Sequence, residues 1–212
     1  MPLKSPATSM GPLEFWFEFA STYSYPAAMR VEDAARAARV PLAWRPFLLG
    51  PIFGSQGWSD SPFNVYPVKG RYMWRDLERV CAKHGLPLRR PSRFPRNGLL
   101  AARVALLGAG EPWGPGFVRA VYRANFAEDR EISEPEVVAS VLGGVTGGAG
   151  EIIEQALSAE NKDRLRRQTE HAVALGIFGA PMFVSRGELF WGNDRLEDAL
   201  AWHRERSAPE SA

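Results

Sequence analysis

Cysteine is almost missing from this sequence. Cys81 stands alone among 212 residues. No internal disulfide can form, no thiolate metal cluster can be assembled, and no dithiol redox cycle can run on one chain. Histidine is nearly as scarce: His84, His171 and His203 stand at no metal-ligand spacing, and no metal is expected. The G-x-S-x-G and H-E-x-x-H signatures of two large hydrolase groups are absent. Charge of one sign is lacking too. The 26 Lys+Arg against 24 Asp+Glu leave a net +2, too little to argue for nucleic acid or an anionic membrane. No run of ~18 apolar residues occurs, so no membrane-spanning helix is expected. Residues 1–11, MPLKSPATSMG, are polar and broken by proline, without the apolar stretch of a signal peptide. A cytoplasmic location is therefore expected. Residues 207–212 read as a small, polar, frayed tail.

What is present is an ordinary globular composition, 45% hydrophobic and 24% charged, long enough for one large domain or one domain with a big insertion. Residues 13–20, LEFWFEFA, alternate apolar and acidic positions and predict a strand with both glutamates on one face. An Ala-rich helix is expected over 25–38, with Pro26 in its first turn. Residues 41–48 read as a second strand, Pro46 marking an edge or a strand end. Together these make a strand–helix–strand crossover unit. A long loop over 50–70, rich in Gly, Ser, Asp and Pro, follows. Helical patterning then recurs over 71–84, 97–107, 116–126, 134–142, 151–157 and 159–175, with Ser133 and Glu136 spaced as a capping box. The period changes at Ala180-Pro181. A short hairpin is expected from 182–184 and 189–191, then a last helix ending near residue 206, with Asn193 or Asp194 as its N-cap. No internal repeat or low-complexity segment appears.

Four places could carry chemistry. Ser21-Thr-Tyr-Ser24 sits where a strand hands over to a helix N-terminus, a position that favours an anion and would stabilise a thiolate. No protein thiol lies there, so such a thiolate must arrive with a ligand; the alternative is a Ser N-cap. Ala180-Pro181 heads a strand, and a cis bond there would turn the Ala180 carbonyl and N–H outward toward a peptide-like ligand, although most X–Pro bonds are trans. Gly192-Asn-Asp-Arg195 could receive an ammonium on Asp194 and a carboxylate on helix N–H groups, or could cap the helix. Lys69 could bind a carboxylate or be solvated. Trp58, Phe63 and Asn64 could line an aromatic pocket or fold back as a loop core. Cys81 lies on the apolar stripe of its helix and reads as a core residue.

These motifs converge on a resemblance. Phe17-Glu-Phe-Ala-Ser-Thr-Tyr-Ser-Tyr-Pro-Ala27 resembles the opening of 2-hydroxychromene-2-carboxylate isomerases, shared by kappa-class glutathione transferases. Phe47-Leu-Leu-Gly50, Pro67-Val-Lys-Gly-Arg-Tyr72, Arg75-Asp-Leu-Glu-Arg79, Gly176-Ile-Phe-Gly-Ala-Pro181 and Leu189-Phe-Trp-Gly-Asn-Asp-Arg195 are similar to the same families in the same order. The resemblance covers residues 14–203. It implies an α/β thioredoxin fold with a large all-helical insertion, as in DsbA-type and kappa-class proteins. Residues 12–50 and 160–206 would form the thioredoxin-like domain and 70–158 the insertion. It implies glutathione as cofactor, activated by Ser21 at the place of the first cysteine of a C-x-x-C turn, with Ser24 at the second. Pro181 would be a cis-proline, Ala180 would contact the cysteinyl part, and Asn193 and Asp194 would hold the γ-glutamyl end. Lys69, Asn64, Tyr23 and Trp58 would face the substrate. Thr22 stands where the family has proline, and the family's Gly-Asn-x-Pro-Pro loop is longer here, with Asn64 its candidate asparagine. The implied activity is glutathione-dependent cis–trans isomerisation of a small aromatic-catabolism intermediate. The alternatives are a kappa-like transferase and a DsbA-like module without redox cysteines. Relatives of this kind are often homodimers.

Overall fold

The computed structural model describes residues 11–58 and 60–205. The polar lead, the tail and the end of the last helix at residue 206 lie outside the described residues. The first strand, β1, spans Leu13–Phe17, and helix α1 spans Ser24–Ala38. Strand β2, Leu42–Pro46, returns parallel to β1, with Leu13 opposite Leu42 and Phe17 opposite Pro46. After a long helical segment the hairpin of β3, Met182–Ser185, and β4, Glu188–Trp191, completes the sheet. The strand order is β2-β1-β3-β4, with β3 antiparallel to both its neighbours. Pro46 is tolerated because β2 is an edge and Pro46 its last residue.

Both faces of β1 are buried, so its residues divide by parity. Leu13, Phe15 and Phe17 face a large core shared with α1, the helical segment and the last helix, α10, Leu196–Glu205. Trp16 faces a smaller core with Phe47, Ile52, Ala172 and Met182. Aromatic rings build the first core: Phe15 lies 5.4 Å from Phe183, and Phe17 lies 5.5 Å edge-on to Phe19.

Between β2 and β3 run α2 (Leu49–Ser55), α3 (Pro62–Val65), α4 (Pro67–Lys83), α5 (Leu99–Leu107), α6 (Gly114–Phe126), α7 (Pro135–Gly143), α8 (Ala149–Leu157) and α9 (Ala159–Ala174). Four expectations need correction. The segment 50–70 is not one loop: α2 is anchored by buried Ile52, Ser61 caps α3 through Phe63 N–H, and prolines sit in the first turns of α3 and α4. Ser133 does not cap α7; its hydroxyl binds Glu131 at 2.8 Å, and the helix starts on Pro135. Neither Asn193 nor Asp194 caps by its side chain, because Asn193 accepts from Arg30 and Asp194 pairs with Arg195. Strand β1 stops at Phe17, so Glu18 leaves the face it would share with Glu14.

Candidate active site

The turn after β1 and the start of α1 form one wall of a cavity of about 1270 Å³. The α2–α4 region forms the second wall, the 94–99 segment a third, and the approaches to β3 and α10 close it. Ser21 lies where these meet. Its N–H donates to the Glu18 carbonyl at 3.0 Å, which closes the turn. Its hydroxyl oxygen accepts from Ser24 N–H, the first residue of α1, at 3.3 Å. Its hydroxyl proton goes to the Ala180 carbonyl at 2.8 Å. The capping and ligand-facing readings of Ser21 are thus compatible in one side chain. Ser24 is fully buried beneath it.

The Ala180-Pro181 bond is cis. The Ala180 carbonyl is not left open toward a ligand, since Ser21 occupies it. The Pro181 carbonyl accepts from Gly192 N–H at 3.0 Å, tying the proline to the 192–195 turn. Gly192 has φ 118°, and a Cβ there would stand 2.5 Å from Asp194 Oδ1. Only glycine suits that backbone. Asp194 and Arg195 line the cavity as a neighbouring ion pair at 3.1 Å, and Arg195 also reaches Asp198 at 2.7 Å. Asn193 is buried; its Oδ1 accepts from Arg30 Nη1 at 3.0 Å, and Arg30 also pairs with Glu197. That leaves the Asn193 amide group with donors to offer.

Tyr23, Trp58 and Lys69 also line the cavity. The Tyr23 hydroxyl donates to Asp76 Oδ2 at 2.8 Å, and burial, then this carboxylate, holds the phenol above its ordinary range. Lys69 Nζ lies 5.8 Å from the Phe63 ring centre. Gly70 beside it permits the close approach of α3, because a Cβ would fall 2.2 Å from the Phe63 carbonyl oxygen. Trp58 packs 5.6 Å from Phe53. At the opposite rim Phe178 and Trp191 meet edge-on at 4.9 Å. Asn64 does not join this cavity: it is exposed, and its amide donates to Asp60 and to the Phe94 carbonyl.

Several cavity residues were given no site role by the sequence. Glu18 lines the wall beside Ser21. The 94–99 segment carries a second cis bond, Phe94-Pro95, and is held by buried Arg96, which binds Asp129, Glu131 and Asn125. The Ser92 N–H, then Arg96, hold the Asp129 carboxyl down to about 2. Cys81 sits in the main core, and burial pushes its thiol up to about 11. Among the described residues no His/Cys/Asp/Glu group could hold a metal ion, and no helix is long and apolar enough to cross a membrane.

A parallel β–α–β unit joined to an antiparallel hairpin, a cis-proline opposite a helix N-terminus and a helical segment between them define a thioredoxin-type protein. At that N-terminus stand Ser21 and Ser24, and the one cysteine, Cys81, is buried elsewhere. The DSBA-like thioredoxin domain model matches residues 12–201. The 2-hydroxychromene-2-carboxylate isomerase of Sphingobium xenophagum is 30% identical over 186 residues, covering 87% of this chain and 94% of that protein. Glutathione S-transferase kappa 2 of Caenorhabditis elegans is 25% identical over 198 residues, covering 87% and 88%. A solved 2-hydroxychromene-2-carboxylate isomerase shares the fold with a TM-score of 0.81 at 24% identity, over 95% of this chain and 100% of that one. The chain belongs to the DSBA-like thioredoxin family and, within it, to the 2-hydroxychromene-2-carboxylate isomerase family, with kappa-class glutathione transferases as relatives.

Proposed function

We propose that this protein is a glutathione-dependent cis–trans isomerase acting on 2-hydroxychromene-2-carboxylate or a similar aromatic-catabolism intermediate. The observation that carries the reading is Ser21: a hydroxyl at a helix N-terminus, facing a cis-proline, with no protein thiol at the site. Such a position stabilises an anion delivered by a ligand.

The residues present fit the ammonium, a carboxylate and the thiol of a thiol tripeptide. Asp194 suits the ammonium, the Asn193 amide and Arg195 suit a carboxylate, and Ala180 borders the place of the cysteinyl part. When bound, glutathione supplies a nucleophilic sulfur that adds reversibly to an unsaturated carbon, so that a double bond becomes rotatable. Ser21 turns its hydroxyl from the Ala180 carbonyl to the sulfur and, with the N-terminus of α1, holds the negative charge there. Lys69 opposes a substrate carboxylate or an enolate oxygen. Trp58 and the other aromatic side chains of the wall pack an aromatic ring and exclude water. Tyr23, its proton given to Asp76, offers its hydroxyl oxygen as an acceptor from the helix side. Within the proposed spans, 12–50 and 160–206 carry Ser21, Ala180, Asn193 and Asp194 of the thiol half, while Trp58 and Lys69 of the substrate half lie between 50 and 70 and the 94–99 wall belongs to 70–158.

The second reading, favoured by the kappa-class relatives, is conjugation without elimination. Titration with glutathione, followed through the fluorescence of Trp58 and Trp191, tests both at once. No binding at millimolar glutathione would overturn both and leave a DsbA-like module without redox cysteines. Isomerisation of 2-hydroxychromene-2-carboxylate assayed against conjugation of a model electrophile separates the two enzymes.

A further inference from the structure

Glu18 is the acid that the proposed chemistry leaves without a task. It follows the last residue of β1 and turns into the cavity wall instead of continuing the strand. Its Oε2 accepts from Ala20 N–H at 2.9 Å. Its Oε1 points along Gly98, where a Cβ would stand only 3.6 Å away. Its own carbonyl accepts from Ser21 N–H at 3.0 Å and from the Tyr122 hydroxyl at 2.9 Å. The Glu18 main chain is therefore tied to Ser21 and to α6, and its carboxyl is held by Ala20 N–H on the same turn that carries Ser21.

Glu18 is in no ion pair among the described residues. Arg96, on the same wall, is occupied by Asp129 and Glu131. Lys69 stands over Phe63, and Arg195 pairs with Asp194 and Asp198. Asp76 accepts from Tyr23. The Tyr122 phenol, buried against Glu18, is held well above its ordinary range and stays neutral. Burial lifts the Glu18 carboxyl to about 8 against the pull of the Ala20 and Ser21 N–H groups. An unperturbed thiol titrates at about 8.5. Burial thus raises the proton affinity of the carboxyl toward that of a thiol, while the helix N-terminus favours the thiolate.

We propose that Glu18 is the proton-holding residue of the site, taking the proton of the thiol bound at Ser21 and returning it when that thiol is released. This rests on the thiol-ligand reading above. The S–H bond breaks, the proton bonds to a Glu18 carboxylate oxygen, and the electron pair stays on sulfur; nothing is oxidised or reduced. One negative charge moves from a carboxylate without a cation to a sulfur at a helix N-terminus, so the site never holds two.

The test uses Glu18→Gln and Glu18→Asp in the full chain, with glutathione as the probe. The ultraviolet absorbance of the bound thiolate is followed from about pH 5 to about pH 10, with glutathione affinity measured at each point. The wild type should show two coupled ionisations. Glu18→Gln should bind glutathione within about threefold of the wild type, show a single ionisation, and lose at least about tenfold in kcat with little change in KM. Glu18→Asp should restore the coupled profile. An unchanged profile and rate in Glu18→Gln would overturn the role of Glu18 alone, whereas absence of glutathione binding by the wild type would overturn the thiol reading with it. Infrared difference spectra of the wild type above about pH 8, where the free carboxyl is ionised, serve if the Gln variant does not fold: thiolate appearing without a protonated carboxyl band defeats the proposal.

Discussion

The Ser21 hydroxyl donates to the Ala180 carbonyl across 2.8 Å, joining residues 159 positions apart. This bond couples the helix N-terminus to the cis-proline strand, and a ligand thiol must compete for the same proton. Ser21→Ala should therefore fold, with Tm lower by about 2–4 °C for one lost hydrogen bond, and should lose about a hundredfold or more in turnover, the scale of one missing oxyanion donor. Thermal melts and initial rates check this; an unchanged rate would remove Ser21 from the mechanism.

Arg30 orients Asn193. With Oδ1 engaged at 3.0 Å, the Asn193 amide can only present its donors elsewhere. Arg30→Met should leave this amide able to flip and weaken glutathione binding about five- to twentyfold, with kcat at saturation little changed. Calorimetric titration beside a full saturation curve separates the two quantities, and equal affinity in the variant refutes the orienting role.

Glu18 also predicts a pH dependence of stability. Its folded value of about 8 lies above the ordinary 4.5, so between them the folded chain holds a proton that the unfolded chain releases. The stability from this group is full below the lower value and is lost as pH rises through the upper one. Across that window Tm should fall by at most roughly 3–5 °C per pH unit relative to Glu18→Gln, the two converging at low pH. Parallel pH–Tm curves for the two proteins would contradict this.

Cys81 should be silent. Its buried thiol, pushed up to about 11, should resist alkylation until the chain unfolds. Cys81→Ala should cost about 1 kcal/mol through a small cavity and leave glutathione affinity unchanged. Rapid labelling of the native protein, or lost affinity in the variant, would place this sulfur in the site.

Much of the fold was legible because it depends on local signals. Period-2 aromatics marked β1, alanines marked α1, and Ala180-Pro181 marked the start of β3. The 50–70 segment reads as a loop because Gly, Ser and Pro argue for turns locally, while α2 gains its stability from Ile52 in a distant core. Ser21 and Asp194, which stand at element junctions and line the cavity, could be named from their motifs. Asn64 could not be placed, because its direction depends on Asp60 and on the Phe94 carbonyl, 30 residues away.

The sequence by itself determined that this chain has no dithiol to work with, that a serine stands at the start of α1, and that strand, helix and hairpin follow in thioredoxin order. These depend on composition and on spacings within one element. Only the tertiary structure decided that Glu18 leaves its strand and lies beside Ser21 without a cation among the described residues, that Arg30 holds Asn193, and that Ser21 meets Ala180. Those relations arise from burial and from hydrogen bonds between elements far apart in the chain, and a carboxylate's proton affinity is set by the surroundings that packing creates.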